Sequence, residues 1–220
     1  MNTGKNSMIV ILGPTATGKT RLACLAASRI GAEVISADSR QVYRGMDIGT
    51  GKDYKDYLVG AQQIPYHLID IAEPGTEYNV YQYQKDFIKA FRSINERNKR
   101  VMLCGGTGMY LEAVLKGYQL LKVPVNQKLR VSLEPESDHQ LSALLQSSKK
   151  PHNITDTSDR KRLIRAIEIQ HYYRNHPELM EDFPKIDCQI FGVHFPREII
   201  RERITTRLKI RLGSGMIDEV

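Results

Sequence analysis

The first pattern with chemical meaning is a phosphate-binding loop near the start of the chain. Residues 13–20 read Gly-Pro-Thr-Ala-Thr-Gly-Lys-Thr, in which two glycines allow a tight turn that directs backbone N–H groups inward. Lys19 adds a positive charge, and Thr20 offers a hydroxyl to Mg²⁺. We therefore predict a site for a phosphorylated ligand, with Thr20 at the metal ion. The predicted ligand-binding residues are Gly13, Pro14, Thr15, Ala16, Thr17, Gly18, Lys19 and Thr20.

Two other polar loops carry groups that could act on such a ligand. Asp38 lies in the stretch Ser-Ala-Asp-Ser-Arg-Gln at 36–41, and its carboxylate could bind Mg²⁺ or accept a proton from a nucleophile. The alternative for Asp38 is an N-cap of a helix. Thr107 lies in Gly-Gly-Thr-Gly at 105–108, where adjacent glycines permit close approach of the backbone to a ligand. The alternative for the loop at 105–108 is a simple turn.

Short apolar runs and helical periodicity indicate the elements that must position these loops. We predict strands at 8–12, 33–36, 100–104 and 188–193, and helices at 20–30, 80–98, 108–116, 158–173 and 196–211. Alternating strands and helices predict an α/β fold with a mostly parallel sheet flanked by helices, like that of P-loop NTPases. In such sheets ligands bind at the carboxyl ends of the strands, where the three loops would meet.

The stretch 123–157 differs in composition from the rest of the chain. It is rich in Ser, Gln, Lys and Pro, so we predict a small helical insertion or lid. The predicted organisation is a P-loop core at 1–122, the insertion at 123–157, and a return to the core with basic helices at 158–220. Residues 216–220 read as the start of another helix, which suggests a longer natural protein.

Composition and charge narrow the class of protein. The 220 residues fit one domain with a small appendage, and the net charge of +7 favours a polyanionic partner such as nucleic acid over plain solvated helix faces. Three dispersed cysteines suit a reducing compartment and argue against a cysteine-rich zinc site. No signal peptide or run of about 20 apolar residues is apparent. We expect a cytoplasmic protein that does not enter a membrane.

Five blocks together resemble a known family. Residues 13–20, 36–52, 105–111, 159–168 and 203–208 occur in the same order as in the tRNA dimethylallyltransferases, also called the IPP transferase family. This resemblance implies transfer of a dimethylallyl group from dimethylallyl diphosphate to N6 of adenosine 37, next to the tRNA anticodon, giving N6-isopentenyladenosine. It also implies that the P-loop binds the leaving diphosphate with Mg²⁺, rather than the phosphates of ATP.

The resemblance further assigns roles to individual residues. Asp38 would take the proton from N6, and Thr107 would lie where the adenine meets the donor. Arg203 or Arg207 would stabilise the departing diphosphate. The residues implied to bind the anticodon stem-loop of tRNA are Asp38, Ser39, Arg40, Gln41, Thr107, Arg130, Lys161, Arg162, Leu163, Ile164 and Arg165. A monomer is expected.

Two features depart from the usual family pattern, and three alternatives stay open. The chain reads Gly-Lys-Asp at 51–53 where the family usually has Ala-Lys-Pro, and the insertion looks shorter than usual. A prenyltransferase for free AMP, ADP or ATP would share the P-loop and Asp38 but would not need basic helices. A small-molecule P-loop kinase would share only the first block, and a non-catalytic RNA-binding remnant would keep only the basic surface.

Overall fold

A computed structural model of the protein describes residues 6–148, 159–179 and 182–219. Contacts divide the chain into two compact units. We call the first the core unit, which runs to Tyr118 and resumes at Pro184, and the second the insertion unit, Gln119–Phe183.

The core unit is built on a parallel sheet. Its strands are β1 (Ser7–Leu12), β2 (Ala32–Ala37), β3 (Leu58–Val59), β4 (Gln62–Gln63), β5 (Tyr66–His67), β6 (Arg100–Gly105) and β7 (Asp187–Gly192). Five of them form one sheet in the order β5-β2-β6-β1-β7, with every neighbouring pair parallel, while β3 and β4 form an antiparallel hairpin. The predicted α/β fold with a mostly parallel sheet is confirmed.

Helices flank this sheet and follow its strands closely. The core unit contains α1 (Lys19–Ile30), α2 (Val80–Glu96), α3 (Gly108–Leu115) and α7 (Arg197–Leu212); the insertion unit contains α4 (Gln127–Leu133), α5 (Asp138–Ser148) and α6 (Arg160–Asn175). All six residues of β2 are buried, as expected for a strand covered on both faces. A capping box between Asn79 and Gln82 begins α2.

The packing beneath the loop at 38–41 is aromatic. The rings of Tyr83 on α2 and Tyr110 on α3 stack with centroids 3.9 Å apart. The Tyr83 hydroxyl also donates to the backbone oxygen of Ser36 over 3.2 Å. Both rings are buried, so the end of β2, directly before Asp38, packs on a pair of stacked aromatic rings.

The insertion unit has its own apolar core. Its buried members are Leu133, Leu141, Leu145, Leu163 and Ile167. Because two of these lie on α6, this helix packs with the insertion helices, and the observed unit is longer than the predicted 123–157. The predicted assignment of 158–173 to the returning core therefore differs from the observed grouping. Residues 149–158 lie outside the described part of the chain.

Among the described residues, no helix is both long enough and apolar enough to cross a membrane.

Candidate functional site

The P-loop is held open for an anion by its own backbone. Ala16 and Gly18 have positive φ angles of 61° and 74°, and Gly18 provides no side-chain cap to α1. The first N–H groups of α1 are thus left for a ligand at the positive end of the helix dipole. The Thr17 hydroxyl and the Lys19 ammonium both donate to the backbone oxygen of Pro14, over 2.9 and 3.1 Å, which fixes the turn.

The Gly-Gly loop after β6 lies against this turn because it lacks side chains. A Cβ added to Gly105 would lie 2.2 Å from the backbone oxygen of Ala37, and one on Gly106 would lie 3.0 Å from that of Gly13. The close approach is therefore to the backbone of the neighbouring loops. It brings the ends of β1, β2 and β6 together, as the sheet topology predicted.

Thr107 holds the loop that carries Asp38. Its Oγ1 accepts the N–H of Ser39 over 2.9 Å, and its own N–H donates to the Ala37 oxygen over 3.1 Å. Asp38 Oδ1 accepts the N–H of Arg40 over 2.9 Å within a turn, so Asp38 caps no helix. Among the described residues, Oδ2 of Asp38 has no hydrogen-bond partner.

These loops surround one cavity. It has a volume of about 110 Å³ and is bordered by the P-loop, Asp38, Gly105 and two arginines of α7. Burial lowers the pKa of Lys19, and the charge of Arg207 lowers it further, whereas Asp38 acts in the opposite direction. A buried cation beside a second cation is costly without an anion, so the cavity is suited to a negatively charged ligand.

The structure distinguishes the two arginines proposed for that ligand. Arg207 borders the cavity, pairs with the Asp53 carboxylate and donates to the Gly51 oxygen over 3.3 Å. Arg203 instead places its guanidinium over the Phe195 ring, 4.1 Å from the centroid, and borders a neighbouring cavity of about 450 Å³ that is also lined by Ala16, Gly18 and Arg207. Of the predicted pair, Arg207 thus lines the cavity with Lys19 and Asp38, whereas Arg203 lines the neighbouring cavity beside the P-loop.

The loop at 47–53 forms another wall of this cavity. It is anchored by Glu219, which follows α7 in the chain. The Glu219 carboxylate accepts the N–H groups of Asp47, Ile48 and Gly49 over 2.9, 2.7 and 2.9 Å. Burial alone would raise the pKa of Glu219, but these donors hold it below its usual value. Lys52, whose side chain is fully buried, pairs with Asp47 over 2.9 Å. The loop is therefore held in place by hydrogen bonds and an ion pair within the protein.

Oxygen groups suited to Mg²⁺ border the same cavity. Thr20, Asp38, Asp53 and Asp56 all line it. In the described ranges, no cluster of three or more His, Cys, Asp or Glu side chains could hold a metal ion. This donor set fits Mg²⁺ bound through one or two protein oxygens together with phosphate oxygens and water, which is its usual mode.

The residues predicted to bind tRNA are divided between the core unit and the insertion unit. In the core unit, Gln41 borders the cavity and donates to the Gly51 oxygen over 3.1 Å, while Arg40 is exposed. In the insertion unit, Lys161 and Arg162 are exposed.

Two predicted RNA-binding arginines are already engaged by a buried carboxylate. Arg130 donates to both oxygens of Glu168, over 3.1 and 2.9 Å, and Arg165 pairs with the same group. Burial would raise the pKa of Glu168, but hydrogen bonds from Arg130, the Asn126 N–H and Arg165 lower it to about 2. The side chain of Leu163 is fully buried and Ile164 is half-buried, so Leu163 offers RNA no side-chain surface.

Comparison with known proteins defines the family. A family model described as "IPP transferase" matches residues 41–220. A tRNA dimethylallyltransferase 2 of Bacteroides fragilis is 55% identical over 213 residues, covering 97% of this chain and 70% of the relative. The chain belongs to the IPP transferase family. A relative from Trichlorobacter lovleyi, also called tRNA dimethylallyltransferase 2, is 50% identical over 215 residues, which are 97% of this chain and 69% of that protein.

Solved structures agree with membership of the IPP transferase family. The full-length tRNA isopentenylpyrophosphate transferase of Bacillus halodurans is 32% identical, with a TM-score of 0.65 over 97% of this chain and 68% of that one. A eukaryotic dimethylallyltransferase acting on tRNA is 24% identical, with a TM-score of 0.76 over 98% of this chain and 55% of that one. At that identity, the second structure supports the fold alone.

Several cavity residues of this IPP transferase family member were not predicted from the sequence. They are Thr50, Gly51, Asp53, Asp56, Tyr57, Cys104 and Arg211. Arg211 carried a usable signal, since it follows Arg207 by four residues on a predicted helix and so shares its face. Cys104 ends the predicted strand at 100–104, and the others lie in the irregular stretch 50–57, for which the sequence offered no periodic pattern.

Proposed function

We propose that this member of the IPP transferase family transfers a dimethylallyl group from dimethylallyl diphosphate to N6 of adenosine 37 in tRNA. The observation that carries this proposal is one cavity that combines a P-loop with the Asp38 carboxylate. The P-loop and Lys19 suit a diphosphate, and Asp38 suits a proton-bearing nucleophile. The names of relatives that are 50–55% identical over nearly the whole chain support the same reaction.

The proposed reaction is a nucleophilic substitution at the allylic carbon. The N6 nitrogen forms a bond to C1 of the dimethylallyl group, and the bond from C1 to the diphosphate oxygen breaks. The proton leaves N6 for Asp38, whose Oδ2 is open to accept it. Negative charge grows on the diphosphate, where P-loop N–H groups, Lys19 and Arg207 are placed to stabilise it.

We propose Mg²⁺ as the cofactor, held by Thr20 and a neighbouring carboxylate together with the diphosphate. When bound, Mg²⁺ would supply positive charge to the departing diphosphate. The burial of Lys19 makes such additional charge useful, because a desolvated lysine alone neutralises only part of a diphosphate.

We propose that the tRNA partner is recognised by exposed basic residues and by extrusion of the target base. Bases in single-stranded loops are unstacked at lower cost than bases in a duplex, so an anticodon loop suits the recessed Asp38. Lys161 and Arg162 are exposed and suit the phosphate backbone. We expect the protein to act as a monomer in the cytoplasm, where tRNA is available.

A transfer assay with dimethylallyl diphosphate labelled in the prenyl group tests this proposal. The full-length protein and Mg²⁺ are incubated in parallel with unmodified tRNA, with AMP, and with ATP. We expect label on tRNA alone, at the N6 position of the adenosine beside the anticodon. Label on AMP or ATP but not on tRNA would replace the proposal with free-nucleotide prenylation. Hydrolysis of γ-labelled ATP without prenyl transfer would instead indicate a kinase.

A further inference from the structure

Arg211 lies in the P-loop cavity beside Arg207. The two residues are one helical turn apart on α7, and both border the cavity that contains Lys19 and Asp38. Residues four apart on a helix lie on the same face. The cavity therefore contains a second guanidinium group, to which the sequence comparison gave no role.

The guanidinium of Arg211 has unused donor capacity. Its Nη2 is buried and has no hydrogen-bond partner in the part of the chain that the structure describes. Burial and the charge of Arg207 lower the pKa of Arg211, although Asp53 and Glu219 partly offset this. A buried N–H group without an acceptor costs about 1–3 kcal/mol, and more when charged. An acceptor that enters the cavity would remove this cost.

Arg207 differs from Arg211 in this respect. Its Nη2 already has two acceptors, the Asp53 carboxylate and the Gly51 oxygen. Among the described residues, Nη2 of Arg211 therefore could donate to a ligand in this cavity without exchanging a protein partner.

The wall of the cavity leaves space for this guanidinium. Gly51 has a φ of +73°, and a Cβ added to it would lie 1.8 Å from Nη2 of Arg211. The amide hydrogen bonds to Glu219 described above fix the adjacent residues of this loop. The guanidinium of Arg211 thus packs against the loop at 47–53 and is not an exposed surface group.

We propose that Arg211 binds the diphosphate group of the donor directly, as a second arginine alongside Arg207. Guanidinium groups suit diphosphate because they present parallel N–H donors to two oxygens. This inference deepens the proposed prenyl transfer and rests on it for the identity of the donor. The binding of diphosphate itself can be measured independently of that reaction.

The test measures binding of inorganic pyrophosphate by calorimetry at a fixed Mg²⁺ concentration. Loss of charge-assisted hydrogen bonds predicts that Arg211→Gln raises the Kd about 10- to 100-fold, with a smaller rise for Arg211→Lys. Lys209→Gln is the matched control, since it removes the same charge from an exposed position on α7, and it should leave the Kd within about twofold. The melting temperature of Arg211→Gln should be unchanged or higher.

Two results would overturn the inference. An unchanged Kd for pyrophosphate in Arg211→Gln, with a lowered melting temperature, would make Arg211 a structural partner of Asp53 and Glu219. If Lys209→Gln weakened pyrophosphate binding as much as Arg211→Gln, the effect would come from the net charge of the protein and not from a direct contact.

Prenyl-transfer kinetics separate this inference from the proposed function. If the wild type transfers the prenyl group to tRNA and Arg211→Gln leaves the KM for dimethylallyl diphosphate unchanged, the inference fails and the function stands. If the wild type binds pyrophosphate through Arg211 but prenylates nothing, the inference stands and the function fails.

Discussion

Two groups of arginines in this protein differ in whether their acceptors belong to the protein. In the insertion unit, Arg130 and Arg165 surround Glu168, which is 1% exposed and receives a further N–H from Asn126. In the core unit, the cations around the P-loop cavity include Arg211, which has a buried N–H group without an acceptor among the described residues. The first group is complete as it stands, while the second has room for an anion.

The pKa directions express the same difference. Hydrogen bonds from two arginines lower the pKa of Glu168 to about 2, so its surroundings favour the charged form. Burial lowers the pKa of Lys19, so the cavity disfavours the charged form of its lysine. Buried charges with complete partners stabilise a fold, whereas incompletely partnered ones are typical of ligand sites. Charge alone is therefore a poor guide to which basic residues bind substrate.

The largest effect is expected at Asp38. Asp38→Asn keeps the shape of the side chain but removes the proton acceptor, so prenyl transfer to tRNA should fall about 10²- to 10⁴-fold. The rate is measured as transfer of labelled dimethylallyl groups under single-turnover conditions.

Pyrophosphate binding is the control for this variant. The Kd of Asp38→Asn for pyrophosphate should stay within about threefold of the wild type, because the P-loop, Lys19 and both arginines remain. Full transfer activity in Asp38→Asn would exclude the proposed base and leave the open Oδ2 without a function.

The next effect concerns stability rather than catalysis. Glu168→Gln removes the charge that two arginines share, and we expect it to lower the free energy of unfolding by about 3 kcal/mol. Urea denaturation followed by circular dichroism measures this, and pyrophosphate binding should not change. If Glu168→Gln instead lost pyrophosphate binding at unchanged stability, the arginines around Glu168 would serve ligand binding and not the fold.

How far the sequence predicted these two regions depended on local pattern. The P-loop, Asp38 and Thr107 were placed correctly at one edge of the sheet, because apolar runs mark the strands and parallel strands end together. The two-residue strand β5 has no such run. The pairing of Arg130 and Arg165 with Glu168 was missed, since charge in a sequence does not reveal its partners. The contact of Glu219 with residues 47–49 spans about 170 positions, a separation at which no local signal exists.

Acid sensitivity offers a second test of the arginine group around Glu168. A carboxylate with a lowered pKa stabilises the fold above its unfolded-state pKa, which is 4.5 for Glu168, and loses this contribution as the pH falls toward about 2. By pH 3 the wild type should have lost about 2 kcal/mol of it. Glu168→Gln has no such loss. The urea concentration at its unfolding midpoint should therefore change less between pH 6 and pH 3 than that of the wild type. Parallel losses in both proteins would show that other carboxylates, such as that of Glu219, carry the acid response.

The smallest effect is expected at Asp53, the partner of Arg207 in the cavity. Asp53→Asn frees Arg207 and removes a negative charge near the diphosphate site, so the Kd for pyrophosphate should fall about two- to fivefold. Since Arg207 and Asp53 are 32% and 40% exposed, unfolding should become easier by less than about 1 kcal/mol. Glu73→Gln, which breaks the exposed pair with Arg44, is the matched control and should leave pyrophosphate binding unchanged. Weaker pyrophosphate binding in Asp53→Asn would mean that Asp53 orients Arg207 toward the ligand. The ion pair of Asp53 with Arg207 would then position a ligand-binding residue of the P-loop cavity.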